Sequence, residues 1–334
     1  MTFWTLFFLL LGFALLIKGA DVLVDGSAGL AKKLGIPKVI VGLTLVAFGT
    51  SAPEGTVSLI AAVQGNPNIS LGNVIGSNIA NIALVLGVAG MIRTIKVRRV
   101  TVTKEIPMAI LAVAAIVFLG YDTVFQQQEQ IFNTIAMGDG FMLLAFFVVF
   151  LYYIFGDLKS TEKQEEEIEK KERANYKESY WYLGLMILGG LAFIIGGGKL
   201  IVDTASEIAA AFGVSEALIG LTIVALGTSL PELATAIVAA LKNEDDIAVG
   251  SIMGSNIFNV FLVVGITSVI TPLPFDPILL LDVLFALFIT ILFYIFLLRK
   301  KGLGRFYGSI LVFFYAIYLV SLGFRETVIA YFGG

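Results

Sequence analysis

The stretch GTSAPE at residues 49–54 returns as GTSLPE at residues 227–232. Both copies lie inside long apolar segments, and the only ionisable residue of each segment is the glutamate of the motif, Glu54 in the first and Glu232 in the second. A carboxylate at the centre of a bilayer costs at least about 2.5 to 3.5 kcal/mol on insertion scales, so it is tolerated where it faces a partner or a cavity. Neither segment supplies a lysine or an arginine, so a metal cation is the natural partner.

The composition of the whole chain is that of an integral membrane protein, because 58% of the residues are hydrophobic and only 14% are charged. Apolar runs of about 20 residues, the length that crosses a bilayer as a helix, recur along the entire chain. We therefore predict an all-α membrane protein with ten transmembrane helices, at roughly 3–24, 37–63, 70–92, 106–120, 139–156, 181–202, 215–241, 247–270, 278–298 and 306–324.

The basic residues predict how these helices are oriented. Of the 22 Lys and Arg residues, 19 fall in connections that would lie on one side of the membrane, whereas the other side receives only Lys199 and Arg325. The positive-inside rule then puts both termini outside, in a multi-pass protein of the cell (plasma) membrane. The same rule puts the acidic, Lys-rich segment 157–178 in the cytoplasm, where we expect a solvated linker.

The linker separates two copies of one unit. Residues 39–88 align with residues 217–266 without a gap, at a constant offset of 178, and 22 of the 50 positions are identical. We divide the chain into a first five-helix repeat at 1–156, a cytoplasmic linker at 157–178 and a second repeat at 179–334. Because each repeat has an odd number of spans, the second is inverted in the membrane. Inverted repeats are typical of secondary transporters, whose sites lie near the midplane where broken helices meet.

The prolines of the two motifs predict where oxygen atoms become available. Pro53 and Pro231 cannot donate a backbone hydrogen bond and clash with the preceding turn, which opens the helix and frees carbonyl groups. Residues three or four apart share one face of a helix. The groups expected to converge are the carbonyls around Ala47 and Thr50, the hydroxyls of Thr50 and Ser51, and the carboxylate of Glu54, with Ala225, Thr228, Ser229 and Glu232 as the second set.

The spans that follow the motifs add more oxygen donors. They contain GNVIGSNIAN at 72–81 and GSIMGSNIFN at 250–259, in which Ser77 and Asn81, and likewise Ser255 and Asn259, stand four residues apart on one helix face. The chain has no histidine and no cysteine, so zinc and copper lack their preferred ligands. An inventory of carboxylate, hydroxyl, amide and carbonyl oxygens favours hard cations such as Ca²⁺ and Na⁺.

GTSAPE with GSNIAN, and GTSLPE with GSNIFN, resemble the two alpha repeats of the cation/Ca²⁺ exchanger superfamily, and within it the prokaryotic type of sodium/calcium exchanger. The resemblance covers the ten-span plan of the whole chain, and its specific motifs occupy about a fifth of it. It implies a core of the second, third, seventh and eighth helices that holds the ions. The long first and sixth helices would slide across this core as a gate.

The resemblance also implies a division of the ligands. Ca²⁺ would bind the carboxylates of Glu54 and Glu232 and the backbone oxygens of Thr50 and Thr228. Position 259 is an aspartate in some members, including potassium-dependent ones, so Asn259 disfavours K⁺ co-transport and leaves two carboxylates in the core. Na⁺ would share the glutamates and bind Ala47, Ser51, Ser77, Asn81, Ala225, Ser229 and Ser255.

We expect a secondary antiporter that exchanges Na⁺ for Ca²⁺ by alternating access, and the resemblance implies three Na⁺ per Ca²⁺. Two alternatives stay open: an H⁺/Ca²⁺ antiporter, because either glutamate can carry a proton, and a passive cation channel. An enzyme is disfavoured because Ser51 and Ser229 have no histidine or lysine positioned as a base. Ca²⁺, Na⁺ and the bilayer are the expected partners, with no cofactor, nucleic acid or obligatory protein partner.

Overall fold

The computed structural model describes residues 3–120, 133–161, 178–212, 225–300 and 302–332. This part of the chain is helical apart from two pairs of very short strands. Its helices are α1 (Phe3–Leu34), α2 (Lys38–Thr50), α3 (Ala52–Val63), α4 (Pro67–Ala80 continued through Asn81–Leu86 to Gly87–Ile92), α5 (Thr101–Gly120), α6 (Met137–Thr161), α7 (Tyr180–Ala211), α8 (Ala225–Thr228), α9 (Leu230–Leu241), α10 (Asp245–Ile270), α11 (Pro277–Arg299) and α12 (Arg305–Phe332).

The helices confirm an all-helical membrane protein. Within the described ranges, eight of them are long and apolar enough to cross a bilayer, or nine if α2 and α3 form one bent span. Helix α9 is apolar but short, and the residues before α8 that would complete the predicted span 215–241 lie outside the described part. The span at 215–241, and with it the count of ten spans, therefore stays a prediction.

Helices α4 and α10 form the centre of the bundle. Of their membrane-spanning windows, 72% and 89% of the residues are buried inside the protein, against 22 to 39% for the other single-helix spans of the described chain. Glycines bring α10 close to α2, because a Cβ at Gly250 would lie 2.8 Å from the carbonyl oxygen of Val39. A Cβ at Gly254 would come within 2.6 Å of the Cβ of Ala47. The site residues predicted on α4 and α10 thus lie in the most enclosed spans of the described chain.

The two longest helices, α1 and α7, pack against each other through glycines. A Cβ on Gly12 would lie 3.0 Å from the oxygen of Gly197, and one on Gly19 would lie 2.8 Å from the oxygen of Gly190. Gly12 and Gly190 correspond in the two repeats, and so do Gly19 and Gly197. The same contact is therefore made twice, once in each direction, and this close approach leaves no room for a side chain.

Three helices near the centre contain π-helical stretches that the sequence analysis did not predict. One precedes Ala47 in α2 at Gly42–Val46, one begins at Asn81 in α4, and one covers Phe258–Val264 in α10. A further stretch opens α5 at Thr101–Glu105. A π-helical turn inserts an extra residue and rotates the side chains that follow, and such turns are frequent at functional sites.

Two short antiparallel pairs tie the connections together. Ile95–Lys96 (β1) pairs with Gly302–Leu303 (β4), and Thr134–Ile135 (β2) pairs with Leu273–Pro274 (β3). Each pair joins one connection from the first half of the chain to one from the second half, and the two connections of a pair belong to the same side in the predicted topology. On the side that is predicted to carry most of the Lys and Arg residues, three ion pairs also join the two halves of the chain: Lys38 with Glu244, Arg93 with Asp245, and Arg98 with Asp246.

Some predicted boundaries differ from the structure. Helix α1 continues about ten residues beyond the predicted end of the first span, so Asp25 lies within the helix. Its carboxylate forms an ion pair with Lys242 at 2.6 Å. The span predicted at 37–63 is broken at Ser51 by a 45° bend. Most of the linker, 162–177, lies outside the described residues.

Candidate functional site

Both glutamates stand just after a break in a helix. Ser51 has φ of −83° and ψ of 0° between α2 and α3, and Ser229 has φ of −89° and ψ of 2° between α8 and α9. Pro53 and Pro231 are at the start of α3 and α9, where the missing N–H has no helical partner to lose. Each break therefore puts a carboxylate in the first turn of a helix, where the positive end of the helix dipole favours negative charge.

The two carboxylates meet in the interior. Glu54 and Glu232 are each 1% exposed, and they lie close enough to repel each other electrostatically. The hydroxyl of Ser51, from the first repeat, donates to Oε1 of Glu232, from the second, at 3.2 Å. The hydroxyls of Thr50 and Ser255 donate instead to main-chain oxygens, Thr50 to that of Val46 at 3.1 Å and Ser255 to that of Ala47 at 3.5 Å. Two buried carboxylates with a hydroxyl donor and, among the described residues, no basic side chain beside them form a site that a cation would neutralise.

The carbonyl of Ala47 is not freed in the way that the proline predicts. It accepts the backbone N–H of Ser51 at 3.0 Å, and the hydroxyl of Ser255 on α10 lies 3.5 Å from the same oxygen. The first break comes after Ala47, at Ser51, so Ala47 begins a turn that still has its regular helical hydrogen bond. A carbonyl oxygen has two lone pairs, so Ala47 keeps an acceptor position for a cation.

Four hydrogen-bonded asparagines, called the asparagine cluster below, join α4 to α10 at the centre of the bundle. The Nδ2 of Asn78 donates to the main-chain oxygen of Asn256 at 3.2 Å, and the Nδ2 of Asn256 donates to the main-chain oxygen of Asn78 at 3.3 Å. The Nδ2 of Asn81 donates to Oδ1 of Asn256 at 2.9 Å, and that of Asn259 donates to Oδ1 of Asn78 at 3.1 Å. All four contacts repeat under the 178-residue offset, so they relate the two halves as a pseudo-twofold axis would.

Several buried oxygens of this region have no hydrogen-bond partner in the described protein. They cost free energy unless something else satisfies them, about 1 to 3 kcal/mol each for a neutral group and more for a charged one. All of them are acceptors or hydroxyls, which suits a cation with oxygen ligands. The unpartnered atoms are Oε2 of Glu54, Oε2 of Glu232, Oγ of Ser229, Oδ1 of Asn81 and Oδ1 of Asn259.

The structure encloses most of the predicted ligands at the centre of the bundle. Thr228 is half-buried, and Ala225 opens α8, but the side chain of Ala225 is outside the described part. Among the described residues, no group of three or more His, Cys, Asp or Glu side chains could hold a metal ion, and the central site contains two carboxylates. The fully buried or nearly buried predicted ligands are Ala47, Thr50, Ser51, Glu54, Ser77, Asn81, Ser229, Glu232, Ser255 and Asn259.

Three asparagines that support the site are not among the predicted ligands. Asn78 and Asn256 are the middle residues of the two GSN motifs, and their identity under the repeat was the signal that could have found them. Asn73 donates from Nδ2 to the main-chain oxygen of Glu54 at 3.2 Å and to Oγ of Ser58 at 2.9 Å, which fixes α3 against α4 beside the carboxylate. Asn73 aligns with Ser251, so the repeat gave no signal for it.

The two ends of the bundle differ beside the site. A cavity of about 490 Å³ reaches the helix breaks on one side and is lined by Pro53, Pro231, Thr228 and an exposed ion pair of Lys199 with Asp203. At the end of the bundle where α9 meets α10, Lys242 holds α1 by ion pairs to Asp21 at 2.5 Å and Asp25 at 2.6 Å.

A buried pair of carboxylates between two broken helices, inside a membrane bundle and surrounded by neutral oxygens, defines a cation transporter. The family model described as sodium/calcium exchanger protein matches residues 4–156 and 182–324. The chain belongs to this family, which confirms the resemblance of its two motifs. It is accordingly an antiporter of the cation/Ca²⁺ class.

Individual relatives cover nearly the whole chain. The putative antiporter CaxA of Alkalimonas amylolytica is 40% identical over 79% of this chain and 80% of its own. The sodium/calcium exchanger MaX1 of Methanosarcina acetivorans is 30% identical over 94% of this chain and 97% of its own. The solved structure of the sodium-calcium exchanger NCX_Mj, from crystals soaked with Na⁺ and Sr²⁺, superimposes with a TM-score of 0.81 and 31% identity, over 96% of this chain and 99% of that one. The fold is therefore that of NCX_Mj.

Proposed function

We propose that the protein exchanges Na⁺ for Ca²⁺ across the cell membrane by alternating access, with both ions competing for the central site. The observation that carries this proposal is the group of unpartnered buried oxygens that includes both Glu54 and Glu232. Two carboxylates balance one Ca²⁺, and the remaining neutral oxygens suit the coordination of Na⁺. The relatives MaX1 and NCX_Mj, both named as sodium/calcium exchangers, support the choice of ions.

The ligands divide between the two ions as follows. Ca²⁺ binds the carboxylates of Glu54 and Glu232 with the backbone oxygens of Thr50 and Thr228. Because the glutamates serve both ions, full occupancy by one excludes the other, and this exclusion is what couples the two fluxes. Na⁺ binds the shared glutamates and the oxygens of Ala47, Ser51, Ser77, Asn81, Ala225, Ser229, Ser255 and Asn259.

Alternating access requires that the site opens to one side at a time. The cavity beside Pro53 and Pro231 is the outer entrance, and the Lys242 ion pairs to α1 close the cytoplasmic side. In this orientation both termini are outside, and the connections with most of the Lys and Arg residues are in the cytoplasm. The strand pairs and ion pairs that join connections of the same predicted side support this topology.

The choice of counter-ion is tested by radiolabelled Ca²⁺ uptake into proteoliposomes that contain Na⁺, K⁺ or an acid buffer in turn. We expect uptake only with internal Na⁺. Uptake driven by the pH difference alone would identify an H⁺/Ca²⁺ antiporter. Uptake down the Ca²⁺ gradient with no counter-ion would identify a channel, because an exchanger that must carry an ion back cannot sustain it.

The stoichiometry is three Na⁺ per Ca²⁺, as in the family that the motifs resemble, so one net charge moves in each cycle. A membrane potential then contributes about 2.3 kcal/mol per 100 mV to the driving force. When internal Na⁺ exchanges for external Ca²⁺, three positive charges leave for every two that enter. An inside-positive potential set with K⁺ and valinomycin should accelerate Ca²⁺ uptake, and an inside-negative one should slow it. Equal rates at both potentials would require the electroneutral ratio of two Na⁺ per Ca²⁺.

A further inference from the structure

Main-chain carbonyls fix the orientation of two buried side-chain amides. A carbonyl oxygen only accepts hydrogen bonds, so the side-chain atom of Asn78 that contacts the main-chain oxygen of Asn256 must be its Nδ2. The reciprocal contact fixes the Nδ2 of Asn256 in the same way. The Oδ1 atoms of Asn78 and Asn256 are then the acceptors that remain, and neither amide can rotate without leaving a main-chain oxygen opposite another oxygen.

The fixed amides determine the orientation of two more. The Oδ1 of Asn256 accepts a hydrogen bond from Asn81, and the Oδ1 of Asn78 accepts one from Asn259, so both outer amides must present Nδ2 to their partners. Their own Oδ1 atoms consequently point away from these partners, and both are buried without a hydrogen-bond partner. A reversed amide would turn an NH₂ group, which carries partial positive charge, towards a bound cation.

We propose that Asn78 and Asn256 are positioning residues that hold the amides of Asn81 and Asn259 with their oxygens towards the transported cation. This inference rests on the proposed function, because it assigns Asn81 and Asn259 to the Na⁺ ligands. Asn78 acts through Asn259, in the other repeat, and Asn256 acts through Asn81. Each half of the chain therefore orients a ligand of the other half, and the asparagine cluster also joins the two central helices.

Substitution of the positioning residues should weaken Na⁺ binding selectively. In Asn78→Ala or Asn256→Ala, one ligand amide can rotate freely, and the loss of such an outer partner typically costs about tenfold or more in metal affinity. Ca²⁺ depends on the glutamates and the threonine carbonyls, so its affinity should change by much less than that of Na⁺. Both affinities are measured on purified protein from the rise in unfolding temperature with added NaCl or CaCl₂, at constant ionic strength with choline chloride.

The matched control is Ser251→Ala. Ser251 is buried on the same helix as Asn256, five residues earlier, and its hydroxyl donates to the carbonyl of Ala248 within that helix. This variant loses one buried hydrogen bond and leaves the hydrogen bonds of the asparagine cluster in place, so its Na⁺ and Ca²⁺ affinities should equal those of the unsubstituted protein. Where an alanine variant does not purify in folded form, the serine variant at the same position removes the same contact with a smaller change in volume.

Double substitutions separate positioning from a general structural effect. Asn78→Ala should add nothing to the Na⁺ defect of Asn259→Ala, because the amide that it orients is already absent, whereas it should add to the defect of Asn81→Ala. Asn256→Ala should show the opposite pattern. Equal weakening of Na⁺ and Ca²⁺, or the same effect in both backgrounds, would overturn the inference. If neither ion stabilises the unsubstituted protein, the proposed function itself fails.

Discussion

Glu54 and Glu232 carry the charge of the site, and their surroundings explain why two buried acids are tolerated. Each follows a helix break and lies at the positive end of a short helix, and the hydroxyl of Ser51 in the first repeat donates to the Glu232 carboxylate in the second. These groups lower the cost of burial but do not neutralise the charge, since the described part of the site contains no basic side chain. In the exchange that we propose, one Ca²⁺ would balance the two carboxylates, and three Na⁺ would leave the site with one net positive charge.

Removal of either carboxylate should abolish exchange. In Glu54→Gln and Glu232→Gln the site retains its shape but has one negative charge for a divalent ion, so Na⁺-driven Ca²⁺ uptake should fall to that of empty liposomes. The pseudo-twofold arrangement predicts equal severity for both. Glu105→Gln is the control, because Glu105 is a buried glutamate in α5 outside the site and should be replaceable with exchange retained. Normal uptake by either site variant would exclude a paired-carboxylate site.

At the scale of helices, the contact between α1 and α7 depends on glycines that face each other. Only one face of α7 is constrained: a Cβ at Gly190 or Gly197 would come within 2.9 Å of main-chain atoms of α1, whereas one at Gly189 or Gly196 meets no atom within 4 Å. The repeat makes Gly190 the equivalent of Gly12 and Gly197 the equivalent of Gly19, but the sequence could not tell which glycines meet a backbone. That distinction depends on how the two helices are rotated against each other.

Adjacent glycines of α7 therefore make a matched test of this contact. Gly190→Ala and Gly197→Ala should each destabilise the protein by about 1 to 3 kcal/mol, the usual cost of overpacking, and slow exchange. Gly189→Ala and Gly196→Ala introduce the same methyl group on the open face and should be neutral or stabilising by about 0.5 to 1 kcal/mol. Unfolding temperature and Ca²⁺ uptake are compared for all four. Equal effects at neighbouring positions would mean that helix propensity, and not the packing of α1 on α7, decides the outcome.

For the whole molecule, the 178-residue repeat relates the two halves of the asparagine cluster, the two glycine contacts and the two helix breaks. It does not relate the charges near the helix ends. Lys242, which binds Asp21 and Asp25 of α1, aligns with Gln64 in the first repeat. The position equivalent to Asp21 is Lys199, which pairs with Asp203 on its own helix instead of with a core helix. The ends of the bundle are thus chemically different although their backbones are related.

Sequence alone was sufficient for the features that depend on residue type and spacing. It predicted the apolar spans that the structure describes, the repeat, the breaks beside Pro53 and Pro231, and the burial of Glu54 and Glu232 together. It could not predict the π-helical stretches, because they depend on how neighbouring helices pack. It also overlooked Asn78 and Asn256, since a buried asparagine that contacts another helix looks the same in sequence whether it binds an ion or orients a ligand.

Na⁺ and Ca²⁺ should compete for one site built on Glu54 and Glu232. Calorimetric titration of the purified protein with CaCl₂, repeated at several NaCl concentrations with choline replacing Na⁺, measures this competition. We predict one Ca²⁺ per chain, an apparent affinity that falls steeply as Na⁺ rises, and no binding in Glu54→Gln or Glu232→Gln. Ca²⁺ binding that is indifferent to Na⁺, or that survives both substitutions, would contradict the claim.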